Sequence, residues 1–159
     1  MSDLLTRAAI RSDARAMAEV INPIILAGGT TAFEDALTEQ DMTKLVFDRP
    51  QLVSCFVAED QCGLAGFQYL MHEKPCSAGI ATFARLSPKR RGVGTALFAE
   101  TLRAANDAGL LYIDAKIRAD NVGGLAYYGR MGFQDHSVIP GVPLRNGTPV
   151  DRVIKRRTL

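Results

Sequence analysis

The sequence predicts an α/β (α+β) fold, with one mixed, mostly antiparallel central sheet and helices on both faces. Three observations lead there. Apolar runs of strand length recur at 4–10, 52–59, 64–71, 79–86 and 110–117. Segments with helical periodicity and recognisable ends lie between them. The resulting order, β-α-α-β-β-β-α-β-α-β-β, combines hairpin neighbours with helical crossovers, which covers both sheet faces. The 159 residues form one domain by length, so 1–159 is read as a single unit able to bury a full core.

The elements follow in order. After the strand at 4–10, Ser12 is the expected N-cap of a helix with Ala16, Val20 and Ile21 on one face. Asn22-Pro23 is expected to break that pattern, and Ala27-Gly28-Gly29-Thr30 to form a turn. Thr38-Glu39-Gln40-Asp41 resembles a capping box, opening a helix through Leu45 and Val46 that stops before Pro50. The runs 52–59 and 64–71 pair as a hairpin around 60–63. A third run, 79–86, ends at Ser87-Pro88. A loop, Lys89-Arg90-Arg91-Gly92-Val93-Gly94, then opens a helix with Leu97, Phe98, Thr101, Leu102 and Ala105 on one face and Gly109 at C′. After the strand at 110–117, Asp120 or Asn121 caps a helix through Met131, terminated by Gly132. The segment from Phe133, with Asn146-Gly147 as a type I′ turn signal, is the final hairpin.

Composition excludes several classes of function. Apolar residues are 47% and charged residues 23%, an ordinary globular mix. Lys plus Arg is 19 and Asp plus Glu is 17, so the net charge of +2 argues against a general nucleic-acid binder. No apolar run approaches the roughly 18 residues that span a bilayer, so no membrane partner is expected. The opening Met-Ser-Asp-Leu-Leu-Thr-Arg lacks a basic segment followed by an apolar one, which predicts no signal peptide and a cytoplasmic protein. Cys55, Cys62 and Cys76 are odd in number and show no CxxC spacing, and His72 and His136 are the only histidines. No metal site is therefore expected, and Cys55, inside an apolar run, reads as a small core residue.

The chemistry lies in the segment 88–96. Gly92 and Gly94 remove side chains where a strand turns into a helix, exposing several N–H groups at the positive end of the helix dipole. Lys89, Arg90 and Arg91 surround that spot with positive charge. A pyrophosphate suits it, because it accepts many short N–H bonds at once. The loop lacks the GxxxxGK[ST] of a P-loop and the third glycine of GxGxxG, which disfavours triphosphatases and dinucleotide folds. Read alone, the loop is equally a tight turn with an incidental basic rim.

A second constellation is N-x₆-Y-x₃-G-F, carried by Asn121, Tyr128, Gly132 and Phe133. Asn121 stands at the helix start, where its amide can reach a ligand, and Tyr128 offers a hydroxyl as an acid. The bland alternative for Tyr128 is a ring packed on the sheet with its hydroxyl at the rim. Tyr127 points about 100° away on an ideal helix and is the expected core ring.

With both motifs in this order, the sequence resembles the GCN5-related N-acetyltransferase family, whose members move an acyl group from acetyl-CoA to an amine. The family pattern Q/R-x-x-G-x-G/A matches Lys89 to Gly94, followed by Thr95-Ala96-Leu97, and its Asn-helix-Tyr-x-x-x-Gly-Phe matches Asn121 to Phe133. The resemblance implies acetyl-CoA as co-substrate, no metal, and a GNAT-like single domain. It implies that the N–H groups of Arg91, Gly92, Val93, Gly94 and Thr95 hold the pyrophosphate, with Lys89 and Arg90 beside them. It also implies that Ala84, Arg85 and Leu86 pair through their backbone with the pantetheine arm, that Asn121 meets the arm or the diphosphate, and that Tyr128 stands near the thioester sulfur. Three departures are visible. Lys89 lacks the planar fork of Arg, the stretch before the glycines is about two residues short, and the strand 79–86 carries no glutamate to act as base.

An alkylamine of pKa near 10.4 is only about 0.04% neutral at pH 7, so the nucleophile needs a proton acceptor. Glu34 is the first candidate, because it follows the glycine turn; Glu59, Glu73, His72 and Asp114 are alternatives. The stretch from Ile21-Asn22-Pro23 to Thr31-Ala32-Phe33-Glu34 is similar to the phosphinothricin acetyltransferase branch, which implies a small amino-acid-like acceptor. A protein N-acetyltransferase and a non-catalytic acyl-CoA-binding module are the competing readings. Family members often pair, and apolar faces near the last strands would permit a homodimer.

Overall fold

The computed structural model describes residues 3–159. Of the opening residues read for a signal peptide, Met1 and Ser2 lie outside the described residues. Seven strands form one sheet: β1 (Leu5–Ala8), β2 (Leu52–Asp60), β3 (Gly63–Lys74), β4 (Ser77–Ala84), β5 (Tyr112–Arg118), β6 (Gln134–Pro143) and β7 (Pro149–Thr158). Their spatial order is β1-β2-β3-β4-β5-β7-β6. Every pairing is antiparallel except β4 with β5, which are joined through a helix and so can run parallel. The helices are α1 (Ala14–Ala27), α2 (Glu39–Met42), α3 (Val93–Asp107) and α4 (Val122–Arg130). The element order agrees with the sequence-based expectation.

Strand alternation divides the core between the two faces. Phe67 and Tyr69 on β3, with Val57 on β2 and Phe83 on β4, pack under α1 through Met17, Ile21 and Ile24. On the opposite face Leu70, Ile80, Ile113 and Ala115 pack with Phe98 of α3, Tyr128 of α4 and Phe133. Each large side chain buried this way contributes about 1.5–3 kcal/mol. Cys55 is buried in the first cluster, as expected. Among the described residues no group of three His, Cys, Asp or Glu could hold a metal, and no helix is long and apolar enough to cross a membrane.

Three local expectations are corrected. Ser12 does not cap the first helix. Asp13 stands at the N-cap position of α1 without a side-chain bond to the helix; its carboxylate instead accepts the Ile10 N–H at 2.8 Å and two Arg7 nitrogens at 2.8 Å each. The hydrogen-bonded Arg7 guanidinium holds the Asp13 carboxyl below its ordinary range. Pro23 does not break the helix, and α1 runs through it to Ala27. The carbonyl that loses its partner there is that of Glu19, four residues back on the exposed face, where water can replace the missing N–H. The last hairpin is not closed by a type I′ turn, which needs positive φ at both central residues. Among the described residues only glycines have positive φ, and Gly147 takes φ 86°. The bonds Gly147 N–H to Leu144 O and Leu144 N–H to Thr148 O, both 2.8 Å, close a three-residue loop with glycine in the left-handed position. The capping box at Thr38 forms as read, Thr38 Oγ1 accepting from Asp41 N–H at 3.0 Å and Asp41 accepting from Thr38 N–H at 2.9 Å.

Candidate active site

The parallel pair β4–β5 parts midway. Registered partners run from Ser77 with Tyr112 to Ile80 with Ala115 and stop there. Beyond that point β4 stays with β3 as far as Ala84, while β5 stays with β7 as far as Arg118. The gap opens into a cavity of about 590 Å³, lined by Ala81 to Ala84 on one side and Lys116 to Arg118 on the other. A volume of this size suits a small-molecule site.

Backbone groups of β4 face the gap. Arg85 N–H donates to Ala65 O at 2.8 Å, so position 85, and by alternation 83 and 81, turn their polar groups toward β3. Thr82 and Ala84 therefore turn theirs toward the gap. Of the expected backbone partners Ala84, Arg85 and Leu86, Ala84 and Leu86 line the cavity, whereas Arg85 is spent elsewhere. Its guanidinium sits on Asp60 at 2.6 Å and on the carbonyls of Leu64 and Pro88.

The glycine loop has two different reasons for its glycines. Gly92 is the N-cap of α3 at φ 81°, a conformation that costs an L side chain roughly 1–2 kcal/mol, and a Cβ there would meet nothing. No side chain caps α3, so the N–H groups of Val93, Gly94 and Thr95 are left for a ligand. Gly94 has an ordinary φ, but a Cβ would fall on the Tyr127 ring, 2.9 Å from Cζ. Lys89 lines the cavity; Arg91 and Thr95 are exposed, Arg90 is half-buried and Val93 is in the core.

Helix α4 places its two tyrosines opposite to expectation. Tyr128 is the fully packed ring, edge-on to Phe133 at 5.2 Å, and Tyr127 is half-buried. Both line the cavity. Tyr127 donates to Gly94 O at 2.7 Å, and Tyr128 Oη lies 2.9 Å from Thr82 Oγ1. Burial pushes both phenols above their ordinary range, so Tyr128 stays protonated across neutral pH. Asn121 lines the same cavity but spends its amide locally. Oδ1 accepts from Gly124 N–H at 2.9 Å, and Nδ2 donates to Thr30 O at 3.1 Å, which ties the segment 30–33 over the cavity.

The structure does not bring Glu34 into the cavity. Its carboxylate accepts the Arg145 N–H at 2.9 Å, on the turn between β6 and β7, beside an ion pair of Arg145 with Asp35. Glu59 is held by Arg7 at 2.6 Å and Asp114 by Arg156 at 2.7 Å, and neither these nor Glu73 and His72 line the cavity. Among the described residues, none that lines the cavity is Asp, Glu or His.

Sequence reasoning missed five lining or supporting residues. Lys116, Arg118 and Arg152 give the cavity positive charge. Arg118 is buried, paired with Asp120 at 2.7 Å and donating to Thr31 O at 3.3 Å. Arg152 is 6% exposed, donates to Val150 O at 3.2 Å, and forms no ion pair among the described residues. Gln68 and Thr82 support the tyrosines. Gln68 carried a signal, the lone polar side chain in Phe67-Gln68-Tyr69-Leu70.

Residues 22–133 match the model of the acetyltransferase (GNAT) family. The chain belongs to that family. This GNAT protein is an acyltransferase of the acetyl-CoA-dependent class. It is 25% identical to "Putative phosphinothricin acetyltransferase YwnH" of Bacillus subtilis (strain 168), over 96% of this chain and 98% of that one. Its fold matches a phosphinothricin acetyltransferase (Pat) from Sinorhizobium meliloti solved in complex with acetyl-CoA. The TM-score is 0.84 and the identity 19%, over 98% of this chain and 88% of that one. It also matches yncA from Salmonella typhimurium, solved with acetyl-CoA, with TM-score 0.86 and 16% identity over 98% and 94% of the two chains. The open helix start, the unpaired edge of β4 and the cavity between the parted strands fit acetyl-CoA as donor.

Proposed function

We propose that this GNAT acetyltransferase transfers the acetyl group to the primary amine of a small, carboxylate-bearing, amino-acid-like molecule, by direct attack on the thioester. The observation that carries this reading is the guanidinium of Arg152, buried at the cavity with one hydrogen bond, to Val150 O, and with neither an ion pair nor an acidic lining residue beside it among the described residues. The nearest carboxylate acting on Arg152 is that of Asp120, which Arg118 already holds, so a buried cation is left incompletely compensated and a ligand carboxylate offsets that cost. The names of the Bacillus subtilis and Sinorhizobium meliloti relatives, which refer to phosphinothricin acetylation, support the same acceptor class. The segment 30–33 over the cavity favours a small acceptor over a protein.

In this reading the N–H groups of residues 91–95 hold the diphosphate, with Lys89, Arg90 and Arg91 supplying charge. Thr82 and Ala84 offer backbone groups to the pantetheine arm, and one of their N–H groups meets the developing oxyanion. Tyr128 gives its proton to the departing sulfur as the C–S bond breaks. It takes back the proton shed by the nitrogen now joined to the acetyl carbon. Holding the two reactants together supplies most of the acceleration. The setting is a single cytoplasmic domain, with self-association through the exposed β6 edge at Val138 and Ile139.

The test is thiol release from acetyl-CoA against amino acids, their decarboxylated analogues, polyamines and peptides. Carboxylated small amines are the expected acceptors, and preference for peptides or polyamines overturns the reading. The pH profile has a defined sign. Neighbouring cations disfavour an ammonium, so a bound acceptor loses its proton about one unit below its solution pKa. The logarithm of kcat rises with unit slope to that point and levels off. A limb titrating like a carboxylate or imidazole, between about pH 4 and 7, would show a protein base instead. Gly92→Asp raises the calorimetric Kd for acetyl-CoA about tenfold by placing a carboxylate against the diphosphate, while Gly92→Ala changes it little.

A further inference from the structure

Gln68 on β3 is fully buried and lies directly across from Thr82 on β4. Its Nε2 is 2.8 Å from Thr82 Oγ1 and 3.0 Å from Tyr127 Oη. Tyr127 has one hydroxyl proton, and a carbonyl, which only accepts, takes it: Gly94 O at 2.7 Å. The Gln68 atom facing Tyr127 must therefore be a donor, which fixes the amide with its NH₂ toward the hydroxyls. Its oxygen is consequently buried with no partner among the described residues. An orphaned buried acceptor is costly, so this orientation is held against stability. Because the second amide proton goes to Thr82 Oγ1, Thr82 keeps its own proton to donate onward, to Tyr128 Oη at 2.9 Å or to the neighbouring Tyr127 hydroxyl, which already accepts from Gln68. The chain runs from Gln68 through Thr82 to Tyr128, and with Thr82 as the donor in that last pair the Tyr128 hydroxyl proton has no other acceptor among the described residues.

We infer that Gln68 is a positioning residue for acetyl transfer: through Thr82 it turns the Tyr128 hydroxyl proton out into the cavity, toward the departing sulfur. This rests on the role of Tyr128 proposed above. The proton moves as already written, and Gln68 and Thr82 exchange none of their own.

The test is a double-mutant cycle read in kcat, in KM for acetyl-CoA and in Tm. Gln68→Met keeps volume and removes the amide. The expected result is a fall in kcat of about tenfold, an unchanged KM for acetyl-CoA, and a Tm equal to or above that of the parent. In a Tyr128→Phe background the same substitution has no further effect on kcat. Equal losses in both backgrounds, or no loss at all, overturn the inference. Gln68→Glu gives an independent readout. An ionised carboxylate only accepts, so it pulls the Thr82 and Tyr128 protons inward. Its activity relative to the parent falls as pH rises through the carboxyl pKa, and a pH-independent ratio overturns the inference. Thr82→Val repeats the cycle if either Gln68 variant fails to fold. If Tyr128→Phe alone leaves kcat unchanged, the reading of Tyr128 fails and this inference with it. If Tyr128→Phe lowers kcat while the cycle is additive, only the inference fails.

Discussion

Tyr128→Phe lowers turnover about a hundredfold while acetyl-CoA still binds. The ring is wedged edge-on between Tyr127 at 4.9 Å and Phe133 at 5.2 Å, and phenylalanine keeps both contacts. What is lost is one hydroxyl, which burial keeps protonated and which lies 2.9 Å from Thr82 Oγ1. The leaving thiol, with pKa near 8.5, is a fair leaving group unaided, so proton donation contributes toward the low end of the general-acid range, about 10²-fold. Thr82 retains its bond from Gln68, so stability changes by only about 1 kcal/mol. Steady-state kinetics paired with calorimetric acetyl-CoA binding separates the two effects. Turnover equal to that of the parent removes Tyr128 from the chemistry.

Arg152→Met raises KM for a carboxylated acceptor by about ten- to a hundredfold and leaves acetyl-CoA affinity in place. A charge-assisted hydrogen bond in a buried site contributes about 1.5–3 kcal/mol, which converts to that range. Methionine fills the space of the aliphatic stem, and the variant loses a buried cation that makes one hydrogen bond, to Val150 O, and no ion pair among the described residues, so folding suffers little. Arg118 makes a poorer probe, because it also holds Thr31 O and Asp120 and its loss would free the segment over the cavity. The measurement is the ratio of kcat/KM for an amino acid and its decarboxylated analogue. That ratio falls in the variant if Arg152 reads the carboxylate. An unchanged ratio assigns acceptor recognition to other residues.

The family and the donor were legible because their signals are local. Gly92 needs left-handed φ whatever surrounds it, and the open N–H groups follow from helix geometry alone. Asn121 capping α4 and the Thr38–Asp41 pair are likewise contacts within three residues. The proton acceptor was not legible in the same way. Glu34 lies near the glycine turn in sequence, yet Arg145, 111 positions away, takes up its carboxylate. The tyrosine assignment failed for a related reason. A helical wheel separates Tyr127 from Tyr128 by angle, but only the position of Gly94 and Thr82 against α4 says which ring is enclosed.

By itself the sequence determined the element order, the glycine loop at the start of α3 and the capped start of α4, since each depends on backbone sterics and hydrogen bonds between near neighbours. Tertiary structure alone decided where β4 and β5 part, that Arg118 and Arg152 meet the cavity without an acidic lining residue, and that Gln68 stands behind Thr82. Those facts depend on which side chain sits across a strand pair or beneath a helix. Period-two alternation gives the face a residue points to, and only the packed sheet gives what it finds there.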